Sequence, residues 1–122
     1  MSTPNCPVEA TLELIGGKYK ALILWHLADR TLRFNQLQKA IPSATARVLT
    51  HQLRELEAQN LITRTVYPVV PPKVEYSMTE LGLSLMPILT AMRDWGAKYL
   101  RSQDIEPNCF MMESDPAPGC CH

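Results

Sequence analysis

Between Thr45 and Arg54 the chain sets Arg47, Thr50, His51 and Arg54 at spacings that gather their side chains on one side of a helix. Guanidinium, hydroxyl and imidazole groups so arranged can donate to phosphates and to base edges, and a helix is the element that fits a DNA major groove. Thr45 and Ala46 stand at the start of this helix, so its N-terminal half presents Ala46, Arg47, Thr50 and His51. The plainer alternative is a solvated outer face, because charged residues cover the outside of most helices. Arg64 and Lys73 fall in two runs rich in β-branched and aromatic residues, Thr63 to Tyr67 and Lys73 to Met78, separated by Pro68, Pro71 and Pro72. These predict a hairpin with a stiff tip that lays positive charge against a DNA backbone or minor groove. Cys6 stands immediately before Pro7, where a helix N-terminus would favour the thiolate, the form that reacts with oxidants and electrophiles. A cysteine that merely caps or packs is the alternative there.

The elements that must position these groups follow from the apolar pattern. A first helix is expected from Pro7 through Leu12 and Ile15, stopping at Gly16 and Gly17. A second, from about Lys18 to Leu27, carries Tyr19, Leu22, Ile23, His26 and Leu27 on one buried side, with His26 a core histidine. A short strand near Leu32 to Phe34 and a helix from about Asn35 to Ile41, ended by Pro42, lead to the recognition helix. Val48, Leu49, Leu53 and Leu56 are its expected buried stripe. Helix, tight connection, helix and hairpin make a winged helix-turn-helix: a mainly α chain with a small β-hairpin wing, of the α+β class. Thr79 then caps a helix toward Arg101 that Pro87 either kinks or restarts. Its apolar surface, including Leu85, Ile88, Leu89, Met92, Trp95 and Tyr99, is broader than a small body requires and calls for a partner protomer; a plain core helix is the alternative. A homodimer also suits a pseudo-palindromic operator in double-stranded DNA, with half-sites about 34 Å apart or a multiple of that.

A chain of 122 residues suits one domain, here residues 1–101, followed by a tail of residues 102–122 whose Pro, Asp, Glu and Ser content predicts disorder. The 12 basic and 12 acidic side chains balance overall, but all 12 basic and only eight acidic ones lie in residues 1–101, leaving a body of +4 and a tail of −4. That mildly basic body gives moderate support to a nucleic-acid partner. No apolar run approaches the length that crosses a bilayer and the start lacks a secretory pattern, so a cytoplasmic location is expected. The four cysteines are then thiols at rest. Cys109, Cys120 and Cys121 could serve as resolving thiols for Cys6, could with His122 collect soft copper(I) or zinc in a metal-responsive regulator, or could have no sensing role. Their spacing matches no common zinc pattern, and no resident metal or cofactor is expected. No catalytic triad, paired-carboxylate pattern or phosphate-cradling glycine loop is present, which argues against an enzyme. The rival from another class is a winged helix that docks an acidic protein partner instead of DNA.

Several runs in order resemble the HxlR-type winged-helix transcription regulators, relatives of the MarR group: CPVEATLELIGGKYKALILWHL, RFNQLQKAI, LTHQLRELEAQNLITRTVYPVVPPKVEYSMTELG and the DWG at Asp94 to Gly96. The resemblance covers about residues 6 to 100. It implies a homodimeric repressor or activator on operator DNA, and it implies for Cys6 the sensing role that an N-terminal cysteine has in several members. The family usually has tryptophan where this chain has Tyr19, and often an acid where it has Val69, so packing of the second helix and wing-tip chemistry are the places to expect differences.

Overall fold

Pro7, with φ preset and no N–H to lose, opens α1 (Pro7–Ile15) in the computed structural model, which describes residues 6–107. The chain continues through α2 (Lys20–His26), α3 (Phe34–Ala40), α4 (Ala46–Ala58), β1 (Ile62–Tyr67), β2 (Lys73–Met78), α5 (Glu80–Leu83) and α6 (Met86–Ser102). The result is a winged helix-turn-helix, with α3 and α4 as the paired helices and the antiparallel β1–β2 hairpin as the wing.

The recognition helix α4 is closed at both ends by local chemistry. Thr45 Oγ1 accepts a hydrogen bond from the Val48 N–H at 3.1 Å, so Thr45 is the N-cap. Asn60 adopts φ 62°, which lets the Leu61 N–H reach the Leu56 carbonyl and the Asn60 N–H reach that of Glu57, both at 3.0 Å. This left-handed closure turns the chain directly into β1. Leu49, Leu53 and Leu56 are fully buried beneath α4, each stabilising the fold by about 1.5–3 kcal/mol. Val48, expected on that stripe, is instead 37 % exposed. It lies 100° round the helix from Leu49, off the buried stripe and beyond half-buried Gln52, whose Oε1 accepts from the Tyr19 N–H at 3.0 Å.

Helix α2 is central: α1, α3, α4 and α6 all pack on it, so Lys20, Ile23, Leu24, Trp25 and His26 are buried round more than the one side expected. His26 is a core histidine as anticipated; burial, aided by the charge of Arg30, pushes its pKa down to about 4. Tyr19, at the position where tryptophan is usual, keeps its ring in the core and uses its Oη to donate to the Ser43 carbonyl at 3.0 Å. Val69 is exposed at the wing tip.

The strand expected near Leu32 to Phe34 reduces to one bridge between Leu32 and Tyr76, because Phe34 already begins α3. Its cap is the Arg33 N–H donating to Gln36 Oε1 at 2.8 Å. The bridge ties the wing to the helical body, with the Leu32 and Tyr76 N–H groups each donating to the other's carbonyl. Beyond the wing, Thr79 caps α5 by accepting from the Gly82 N–H, and Pro87 restarts the chain as α6. Leu85 and Leu89, expected at a partner interface, belong to this protomer's own core; Leu89 is fully buried. They point inward because α6 packs against α2 along that side.

Candidate nucleic-acid interface

The outer face of α4 is an open groove of about 770 Å³, lined by Ala46, Arg47, Val48, Thr50, His51, Gln52 and Arg54. Arg47, His51 and Arg54 are exposed along it. Thr50 Oγ1 donates to the Ala46 carbonyl at 2.7 Å, so its proton is turned back on the helix and its lone pairs face outward as acceptors. Thr45 is exposed at the leading end, its oxygen engaged as the cap.

A second cleft, of about 370 Å³, opens between α4 and the wing root, where Thr50, Arg54 and Glu57 face Arg64 and Tyr76. The fold thus brings Arg54 and Arg64 to one concavity. Arg64 arrives there because it pairs with Tyr76 in the hairpin register. Lys73 is not part of this gathering. It pairs with Tyr67 nearer the tip, where its Nζ lies 3.2 Å from Glu75 Oε2 and 5.2 Å from the Tyr67 ring centroid. Much of its charge is therefore met within the wing.

Two residues that hold this surface in place escaped sequence reasoning. Lys20, almost fully buried in α2, puts its Nζ 3.5 Å from Glu55 Oε1 in α4, and His51 Nε2 lies 3.4 Å from the same oxygen. Glu55 therefore links the core to a side chain on the groove face. The only hint in the sequence was the i, i+4 spacing of His51 and Glu55.

Cys6 is exposed and free at the N-cap of α1, its backbone extended and its side chain making no cap hydrogen bond. Cys109, Cys120, Cys121 and His122 lie outside the described residues. Ile88, Met92, Trp95 and Tyr99 are exposed along α6, Trp95 at 69 % and stacked on Tyr99 with centroids 5.5 Å apart. Helix α1 adds exposed Val8 and Leu12 at i, i+4, and Pro7, Val8, Leu12, Ile88 and Met92 share one apolar groove of about 310 Å³. The sequence predicts such a face on the C-terminal helix alone. Among the described residues no three His, Cys, Asp or Glu side chains are placed to hold a metal ion, and no helix is long and apolar enough to cross a membrane.

Comparison with known proteins agrees with this architecture. The HTH-type transcriptional regulator YdeP of Bacillus subtilis (strain 168) is 56 % identical over 95 residues, spanning 78 % of this chain and 74 % of that protein. The redox regulator HypR in its reduced form superimposes with TM-score 0.75 at 50 % identity, covering 80 % of this chain and 96 % of HypR. Its oxidised form gives 0.72 at 53 % identity, covering 76 % and 96 %. The reduced form of the transcriptional regulator YodB from B. subtilis gives 0.70 at 31 % identity, covering 81 % and 98 %. The HxlR-like helix-turn-helix family matches residues 14–104, and the chain belongs to that family of transcriptional regulators.

Proposed function

We propose that this regulator binds operator DNA sequence-specifically as a homodimer and that chemistry at Cys6 switches it. The observation that carries the reading is the continuity of one surface: Arg47, Thr50, His51 and Arg54 line the outer face of α4, and Thr50 and Arg54 also line the adjoining cleft that holds Arg64 of the wing. A helix presenting donors in this way enters a major groove by its N-terminal half, while the wing follows the adjacent backbone. The +4 body gives an attraction that is moderate and salt-sensitive.

A second protomer would cover the exposed faces of α1 and α6, burying Val8, Leu12, Ile88, Met92, Trp95 and Tyr99. Such a seam sets the distance between two recognition helices, which a two-fold operator requires. Cys6 stands beside this seam, one residue before Pro7 of the shared groove, so oxidation or alkylation there alters how α1 packs on the partner and thereby the spacing of the two helices. The similarity to a redox regulator supports the same role. The tail cysteines are candidate resolving thiols.

The test is fluorescence anisotropy on duplex from upstream of the protein's own gene, with protein reduced and then treated with diamide. Oxidation should change affinity for wild type and leave Cys6→Ser unaffected. An identical response in Cys6→Ser would remove the cysteine from the switch, and equal binding to a scrambled duplex would favour the protein-docking alternative.

A further inference from the structure

Lys18 lies in the short connection between α1 and α2, outside the residues assigned above to the groove or the wing. It is exposed, and its Nζ stands 5.3 Å from the centroid of the Tyr19 ring. Among the described residues it pairs with no carboxylate. Tyr19 is buried and is fastened twice to the helix-turn-helix: its Oη donates to the Ser43 carbonyl, and its N–H donates to Gln52 Oε1 within α4, each at 3.0 Å. Ser43 stands two residues before Thr45, the cap of the recognition helix. The Ser43 side chain holds the Tyr19 hydroxyl below its ordinary pKa; burial opposes this, and the adjacent Lys18 ammonium adds to it. The three groups are thus close together, and the Lys18 charge is held beside the leading end of α4.

A lysine held against an aromatic ring has given up part of its rotamer freedom before any partner arrives, so less remains to be given up on binding. A duplex gripped by the N-terminal half of α4 would run one strand past this position. We infer that Lys18 contacts a backbone phosphate at the edge of each half-site and that Tyr19 is its positioning residue. This rests on the DNA-binding reading above. Contacts to phosphate carry no base information, so the contribution is equal on all sequences and appears as counterion release.

The experiment measures log affinity against log salt for wild type, Lys18→Ala, Tyr19→Phe and the double variant, on the upstream duplex and on a scrambled duplex. Lys18→Ala should weaken binding by the same factor on both and make the slope shallower by about 0.9 for each phosphate that is no longer neutralised. Tyr19→Phe keeps the ring but removes the Ser43 bond, and should also make the slope shallower. The double variant should bind no more weakly than Lys18→Ala. A Lys18→Ala slope equal to wild type overturns the phosphate interaction while leaving DNA binding intact, and so does a weakening confined to the upstream duplex. Additive weakening in the double variant overturns the role of Tyr19. Failure of wild type to prefer the upstream duplex would overturn the reading beneath, and binding of neither duplex would remove this inference with it.

Discussion

The ammonium of Lys20, buried in α2, lies 3.5 Å from the carboxylate of Glu55 in the recognition helix, across a gap of 35 residues in sequence. Gly17 makes the approach possible, since a Cβ there would stand 2.9 Å from Lys20 Cδ and displace the aliphatic stem. The carboxylate is 44 % exposed while the lysine side chain is 6 % exposed, so the two ends of the pair differ in what they can lose.

Removing the acid should therefore cost more than removing the base. Glu55→Gln leaves a buried ammonium without its counter-charge and should destabilise by about 2 kcal/mol, below the range for fully buried pairs because Glu55 is partly solvated. Lys20→Met fills the same space and leaves a carboxylate that water can reach, for a loss under about 1 kcal/mol. Urea midpoints of the two variants give the comparison; equal losses would mean that the pair is solvated at both ends.

Stability should fall on mild acidification through His26. Burial holds the folded imidazole at about 4, whereas in the unfolded chain it titrates at its ordinary 6.5. Below pH 6.5 the unfolded state binds the extra proton first, so stability present at neutral pH is progressively lost down to about pH 4. Between pH 7.5 and 5 the loss amounts to about 2 kcal/mol. Urea unfolding at the two pH values should show this slope in wild type and a smaller one in His26→Gln; matching slopes would assign the effect to other groups.

Two glycines should respond oppositely to the same substitution. A Cβ on Gly82 would run into the Leu61 carbonyl, where α5 crosses the entry to β1, whereas a Cβ on Gly96 meets nothing within 4 Å in the interior of α6. Gly82→Ala should cost more than about 2 kcal/mol through forced backbone shifts. Gly96→Ala should stabilise by about 0.5–1 kcal/mol through helix propensity. Thermal unfolding separates the signs, and a Gly82→Ala protein as stable as wild type would contradict the close approach.

Trp95 and Leu89, both on α6, should fail in different ways. Leu89→Ala opens a cavity in the protomer core and should cost about 2–5 kcal/mol. Trp95→Glu places a charge on the exposed apolar face and should shift sedimentation toward monomer, with weaker DNA binding following. A Trp95→Glu protein that sediments as wild type does would contradict the proposed protomer interface on α6.

Local signals made most of the fold legible. Pro7, Thr45 and Thr79 mark helix starts by their own chemistry, and Pro68, Pro71 and Pro72 mark the hairpin tip, so α1, α4, the wing and the α5 start fell where the residues indicated. That Arg47, His51 and Arg54 lie exposed on the outer face of α4 followed from helical spacing alone. What the sequence could not divide was the apolar surface of α6: Leu85 and Leu89 face the core while Ile88, Met92, Trp95 and Tyr99 face out, and both sets satisfy the same period. The ties from Tyr19 to Ser43 and from Lys20 to Glu55 were illegible for another reason. Each joins segments far apart in the chain, and no local spacing encodes them.

Whether the α4 face reads DNA is decided by comparing the affinity of reduced wild type and Arg47→Ala for duplex from upstream of the protein's own gene and for a scrambled duplex. Wild type should prefer the upstream duplex by roughly a thousandfold or more at physiological salt, and Arg47→Ala should lose about 1–3 kcal/mol of that preference. Equal affinity of wild type for both duplexes, or an Arg47→Ala protein with the full preference, would contradict the assignment of the α4 face as the reading surface.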